Sequence, residues 1–119
     1  ITNGTYLGII KEMLEKEVAE ELQPLKARVV EMVKLYEQAL DYVKQAQDQE
    51  VQDFLARRLY NMTGDIVMSL LILEDATRSA ELFSKSANVY VRMAQAEVTA
   101  EHVYIMNFVK EDLPSFRAE

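Results

Sequence analysis

Apolar residues recur every three or four positions along almost the whole chain, which is the spacing that places them on one face of an α-helix. In the first part of the chain this stripe consists of Leu7, Ile10, Leu14, Val18 and Leu22. Glycine and proline, which build the turns of β-proteins, number only three and two among 119 residues. The sequence therefore predicts an all-α protein with long helices.

Breaks in the stripe predict where the first three helices begin and end. Pro24 should end the first helix, because proline disfavours helix at the residue before it. A kinked helix that continues through Pro24 is the alternative. Asp48 is a suitable cap for the third helix, with Glu50 in the first turn, where the helix dipole favours a negative charge.

No glycine or proline separates the third helix from the fourth. One continuous helix over Val51–Val109 would be roughly 90 Å long at 1.5 Å per residue, so we expect a reversal within Ser79–Ser84, with serines available as caps. Short connections make sequential helices neighbours. We therefore predict a single domain, residues 1–119, folded as an antiparallel up-down four-helix bundle.

The third helix is apolar almost all round over Ile66–Leu73. Such a helix lies in the middle of a bundle or under a partner. Gly64 precedes this run, and its simplest role is a close helix crossing. The six tyrosines and six methionines fall mostly on the stripes, so we expect them in the core, with a methionine-rich binding surface as the alternative.

The formal net charge of −7 argues against several classes of partner. An acidic surface repels phosphate backbones and anionic lipid, so we expect neither nucleic-acid nor membrane binding. No apolar run approaches the length of a membrane span. Cysteine is absent, which excludes disulfides and thiol chemistry. We expect a cytoplasmic protein.

Histidine content limits the chemistry of a bundle rich in carboxylates. A di-iron site needs Glu-x-x-His on each of two helices, whereas this chain has one histidine, His102, with Thr99 three residues before it. No nucleophile motif or phosphate-binding loop is present. We therefore predict no catalytic, cofactor-binding or metal-binding residue.

Four ionisable positions near the stripes have structural interpretations. We expect His102 to be half-buried and bonded to a neighbouring helix, with a pH-sensitive or ligand-contacting group as the alternative. Glu101 should point away from His102, because adjacent residues diverge on a helix. Arg57 and Arg58 should lie on a solvated helix face.

The stretch from Gly64 to Ala76, GDIVMSLLILEDA, together with the long fourth helix, resembles the extra helical region at the C-terminus of some acyl-CoA dehydrogenases. In that region Gly/Ala-Asp precedes an apolar run that ends in a small or acidic residue and alanine. The resemblance covers Val51 to Glu111. A Glu-Gly-Thr-Asn segment of the family contacts flavin, but no glutamate precedes Gly4, so no functional residue of the family is placed on this chain.

The resemblance implies a parent flavoprotein of fatty acid metabolism that uses FAD to oxidise an acyl-CoA thioester between its α and β carbons. A carboxylate base would remove the α proton while flavin takes a hydride, and electrons would pass to a flavoprotein acceptor. The chain would be a non-catalytic C-terminal domain that packs on the catalytic body or on a second subunit, in a homo-oligomer.

The chain begins at Ile1 rather than at methionine, so we expect a C-terminal piece of a longer polypeptide that carries the catalytic residues and the FAD site upstream. The alternative is a free-standing interaction or adaptor bundle that homodimerises.

Overall fold

The computed structural model describes the backbone of residues 3–46 and 48–108, and the side chains from residue 7 onward within those ranges. Every regular element in these ranges is helical, in agreement with the predicted helical bundle. The elements are α1 Asn3–Leu14, a 3-10 turn Glu20–Leu22, α2 Gln23–Gln45, α3 Gln49–Arg78 and α4 Ala80–Asn107.

The core lies among α2, α3 and α4, which all pack against one another, while α1 packs against α3. The predicted stripes supply it, since the core side chains recur at helical spacing. The largest fully buried side chains are Ile10, Leu22, Met32, Tyr36, Leu55, Met62, Ile66, Leu73 and Ile105. None of the described helices has the length and hydropathy needed to cross a membrane.

The first helix is shorter than predicted. α1 ends at Leu14, and the stripe residue Leu22 belongs to the 3-10 turn before α2. Pro24 does not end the first helix; it lies in the first turn of α2, where its missing N–H removes no helical hydrogen bond. Both sequence interpretations of Pro24 are therefore wrong.

Contacts with α3 hold the segment between α1 and α2. The Lys16 Nζ lies 3.2 Å from the Glu74 Oε2, and the Ala19 backbone N–H donates to the Thr77 Oγ1 at 3.2 Å. The Ala19 N–H is a group that a continued helix would have paired internally, and here Thr77 satisfies it instead. Tertiary contacts thus replace the last turns of the predicted helix.

The other two connections lie where the sequence predicts them. Asp48 caps α3, because its side chain accepts hydrogen bonds from the backbone N–H groups of Glu50 at 3.0 Å and Val51 at 3.2 Å. Ser79 alone separates α3 from α4, with an extended φ of −149°. Its hydroxyl makes no capping bond; its backbone N–H donates to the Asp75 carbonyl at 2.9 Å.

Two expectations for the third helix are corrected. A Cβ added to Gly64 would meet no atom within 4 Å, so Gly64 does not mark a close helix crossing. The run Ile66–Leu73 does not lie in the middle of the bundle, because Met68 is 51% exposed and Leu71 is 43% exposed. Its alternative place, under a partner, stays a prediction. This helix therefore presents an apolar face that the described residues leave open.

Candidate functional site

A groove of about 620 Å³ runs between α3 and α4 and opens to solvent. The two helices lie side by side there, and residues one helical turn apart on each of them line its walls. The lining residues are Tyr60, Asn61, Gly64, Asp65, Met68, Tyr90, Glu97, Ala100 and Glu101. Three carboxylates therefore share one groove.

Asp65 and Glu97 form a carboxyl pair in this groove. Burial of Asp65, followed by the charge of Glu97, their mutual hydrogen bond and the charge of Glu101, raises the pKa of Asp65 to about 6. When Asp65 is protonated, it donates to Glu97 in this bond. Among the described side chains, no lysine or arginine forms an ion pair with either residue.

Tyr90 faces the same pair. Burial, followed by the charges of Asp65 and Glu97, raises the pKa of the Tyr90 hydroxyl. The hydroxyl therefore stays protonated at neutral pH. It adds a neutral polar group to an otherwise negative part of the groove.

Glu101 is neutralised within the chain. The Arg58 Nη1 lies 2.6 Å from the Glu101 Oε1, and the Asn61 amide donates to the Glu101 Oε2 at 3.0 Å. The Arg58 guanidinium also lies over the Tyr104 ring, 3.6 Å from its centroid. The predicted solvated position is therefore wrong for Arg58, although Arg57 is exposed.

His102 is half-buried on α4, and its Nε2 lies 2.9 Å from the Gln38 Oε1 on α2. The predicted bond to a neighbouring helix is confirmed. Glu101 contacts α3 instead, as its divergence from His102 predicts. In the described part of the chain, no three histidine, aspartate or glutamate side chains are arranged to hold a metal ion.

Beside the groove lies an apolar surface, here called the outer face, formed by Met68 and Leu71 of α3 and by Val89 and Met93 of α4. These side chains are 43–64% exposed. Val89 and Met93 precede Glu97 at successive intervals of four residues, which aligns all three on one side of α4. Met68 lines the groove itself. The outer face and the Asp65–Glu97 pair thus form one continuous surface.

Sequence reasoning missed the carboxyl pair, although a signal for part of it exists. Glu97 and Glu101 are four residues apart and therefore neighbours on α4, a like-charge arrangement that weakens a helix unless something compensates. That spacing indicates a cation nearby, which the structure identifies as Arg58 for Glu101. Nothing in the sequence places Asp65 opposite Glu97, because their contact depends on the register between two helices.

The chain matches the family model described as acyl-CoA dehydrogenase C terminal over residues 2–113. It is also similar to the crystal structure of an acyl-CoA dehydrogenase family protein from Porphyromonas gingivalis, with 38% sequence identity and a TM-score of 0.84. That match covers 91% of this chain and 93% of the other. No curated protein gives a significant match. The matches agree with the resemblance carried by the GDIVMSLLILEDA stretch: this chain belongs to the acyl-CoA dehydrogenase C-terminal family.

Proposed function

We propose that this chain is a non-catalytic helical domain of an FAD-dependent acyl-CoA dehydrogenase, and that it packs by its outer face on the catalytic body. The body belongs either to the same polypeptide or to a neighbouring subunit of a homo-oligomer. Residues 1–119 pack on that body as a single domain. The observation that carries the proposal is the exposure of Met68, Leu71, Val89 and Met93 on adjacent helices.

Exposed apolar residues scattered singly over a surface need no explanation. The outer face is different, because its four side chains cluster beside one groove on the α3–α4 hairpin. A continuous apolar patch that borders polar groups is typical of a surface covered by another protein.

The groove does not fit FAD or coenzyme A. Both molecules carry a pyrophosphate, which would meet the carboxylates of Asp65, Glu97 and Glu101. Arg58 is already paired with Glu101 and stacked on Tyr104, so it is not available to a phosphate. In the proposed parent enzyme, FAD would be held by the catalytic body, where it would supply the hydride-accepting group. This chain contributes packing only.

The test is expression of the complete reading frame that contains this chain. The purified protein should carry flavin absorbance and oxidise an acyl-CoA to the corresponding enoyl-CoA. The variant His102→Gln should keep turnover within about two-fold, because a group outside the chemistry adds no transition-state stabilisation. Loss of turnover with flavin and fold intact would contradict a non-catalytic role.

Hydrogen–deuterium exchange in the same protein tests the packing. Backbone amides of α3 and α4 near Met68 and Met93 should exchange more slowly than in the variant Met68→Glu, which places a charge on the outer face. The matched control is Ile9→Glu, which places the same charge at an exposed apolar position on α1, away from α4. Equal exchange in all three proteins would show that nothing covers the outer face.

A further inference from the structure

We propose that the surface covering the outer face carries an arginine or lysine that binds the Asp65–Glu97 pair, flanked by apolar side chains that cover Met68 and Met93. This inference rests on the proposed function, since it takes the catalytic body as the partner. It adds the chemistry of the contact: a basic, amphipathic segment rather than a purely apolar one.

The argument begins with charge. Asp65 and Glu97 contact each other, and no cation among the described residues neutralises them, whereas Glu101 one turn away has both Arg58 and Asn61. Covering two carboxylates with apolar atoms would remove their water without replacing it, which is strongly unfavourable. A cation from the partner removes that cost and gives charge-assisted hydrogen bonds.

The apolar part of the contact follows because the methionines of the outer face adjoin the Asp65–Glu97 pair. Met68 lines the groove that contains Asp65, and Met93 precedes Glu97 by one helical turn. A segment that reaches the carboxyl pair therefore also covers these methionines. Methionine side chains adapt well to an irregular partner surface. A long aliphatic stem ending in a positive charge matches both features at once.

A second copy of this chain is a poor occupant of the same surface. Two copies that meet by the outer face about a two-fold axis bring the same surface patch together on both sides. Each copy then adds the Asp65–Glu97 pair to the interface, and the net charge of −7 per chain opposes their approach. Charge complementarity thus favours a basic partner surface.

The decisive variant is Glu97→Lys, measured in the protein from the complete reading frame. It places a cation beside Asp65, so we expect the α3–α4 hairpin to be as stable as before or more so. The same change opposes the partner's cation, so amide exchange over Val89–Glu97 should accelerate at least ten-fold. A variant that stabilises the hairpin and yet releases the contact cannot be explained by misfolding.

The matched control is Asp41→Lys, which makes the same charge change at an exposed position of α2 outside the groove. It should leave exchange over Val89–Glu97 within two-fold. If Glu97→Lys changes exchange no more than this control does, while the outer face of the wild type is protected, the proposed partner cation is overturned. The proposed packing by the outer face is then still supported. If the outer face is unprotected, both proposals fail.

Photo-crosslinking identifies the partner segment directly. With Met93→p-benzoylphenylalanine in the same protein, the crosslinked peptide should come from the catalytic body and contain a lysine or arginine. Substitution of that residue by glutamate should restore slow exchange in the Glu97→Lys background. A crosslink to residue 93 of a second copy, or to a peptide without a basic residue, would overturn the inference.

Discussion

Arg58 of α3 reaches Glu101 of α4 with an Nη1–Oε1 distance of 2.6 Å, and the side chain of Glu101 is only 15% exposed. The guanidinium also covers the Tyr104 ring, whose neighbour Phe108 stacks on Phe54 with the ring centroids 5.2 Å apart. The pair is thus enclosed by the aromatic end of the hairpin. The Arg58–Glu101 ion pair thus joins α3 to α4 at the end of the groove that Glu101 lines.

Replacement of Arg58 by alanine should lower the free energy of unfolding by about 2 kcal/mol, because a mostly buried carboxylate loses its cation and Tyr104 loses its stacking partner. The free energy of unfolding of Arg58→Lys should lie between those of Arg58→Ala and the wild type, since lysine keeps the charge without the planar stacking. Urea denaturation gives the values. The control is Arg57→Ala, an exposed neighbour, for which we expect less than about 0.5 kcal/mol.

Asp65→Asn should stabilise the chain at pH 7.5 but not at pH 4. The folded-state pKa of about 6 lies above the usual 3.8, so the native state binds more protons than the unfolded state between these values. Wild-type stability therefore falls as pH rises through that window, and the variant avoids this loss. Since Asp65 is only half-buried, water screens the repulsion and we expect about 1 kcal/mol.

Thermal denaturation of wild type and Asp65→Asn across pH 4 to 8 measures this difference. The double variant with Glu97→Gln should gain less than the sum of the two single changes, because either substitution removes the same repulsion. A gain that is constant across the pH range would show that the carboxyl charge is not its cause.

Gly64→Ala should raise stability by up to about 1 kcal/mol, because alanine is the better helix former and the added Cβ meets no atom within 4 Å. The measurement is the midpoint of urea unfolding. A glycine required by a close crossing inside this chain would instead make the variant less stable.

Asp48→Ala should cost about 1 kcal/mol, since the carboxylate accepts two backbone N–H bonds at the start of α3. Ser79→Ala makes a matched comparison at the next connection, where the hydroxyl makes no capping bond. We expect Ser79→Ala to cost less than half as much in the same denaturation assay. Equal costs would contradict this difference between the two caps.

Local rules predicted much of this fold. Helical spacing and capping act between residues a few positions apart, so the start of α3 at Asp48 and the reversal near Ser79 followed from the sequence. The end of α1 did not, because it depends on bonds from Lys16 and Ala19 to α3 residues far along the chain.

The groove was hidden for the same reason. Asp65 belongs to a stretch that looked like a buried helix, and only the register between α3 and α4 brings it to Glu97. Likewise, apolar spacing alone does not say whether Met68 is covered by this chain or by another. The family resemblance contributed what local rules do not, since it connected the apolar stretch to the C-terminal region of acyl-CoA dehydrogenases.

The reversal at Ser79 lies near the middle of the α3–α4 hairpin and sets which residues of the two helices face each other. Arg58 and Glu101, which face each other, lie at nearly equal distances along the chain on either side of Ser79. One residue inserted early in α4 would move all later partners by about 1.5 Å and turn them by about 100°. Homologues should therefore tolerate substitutions along these two helices far more readily than any change in their length.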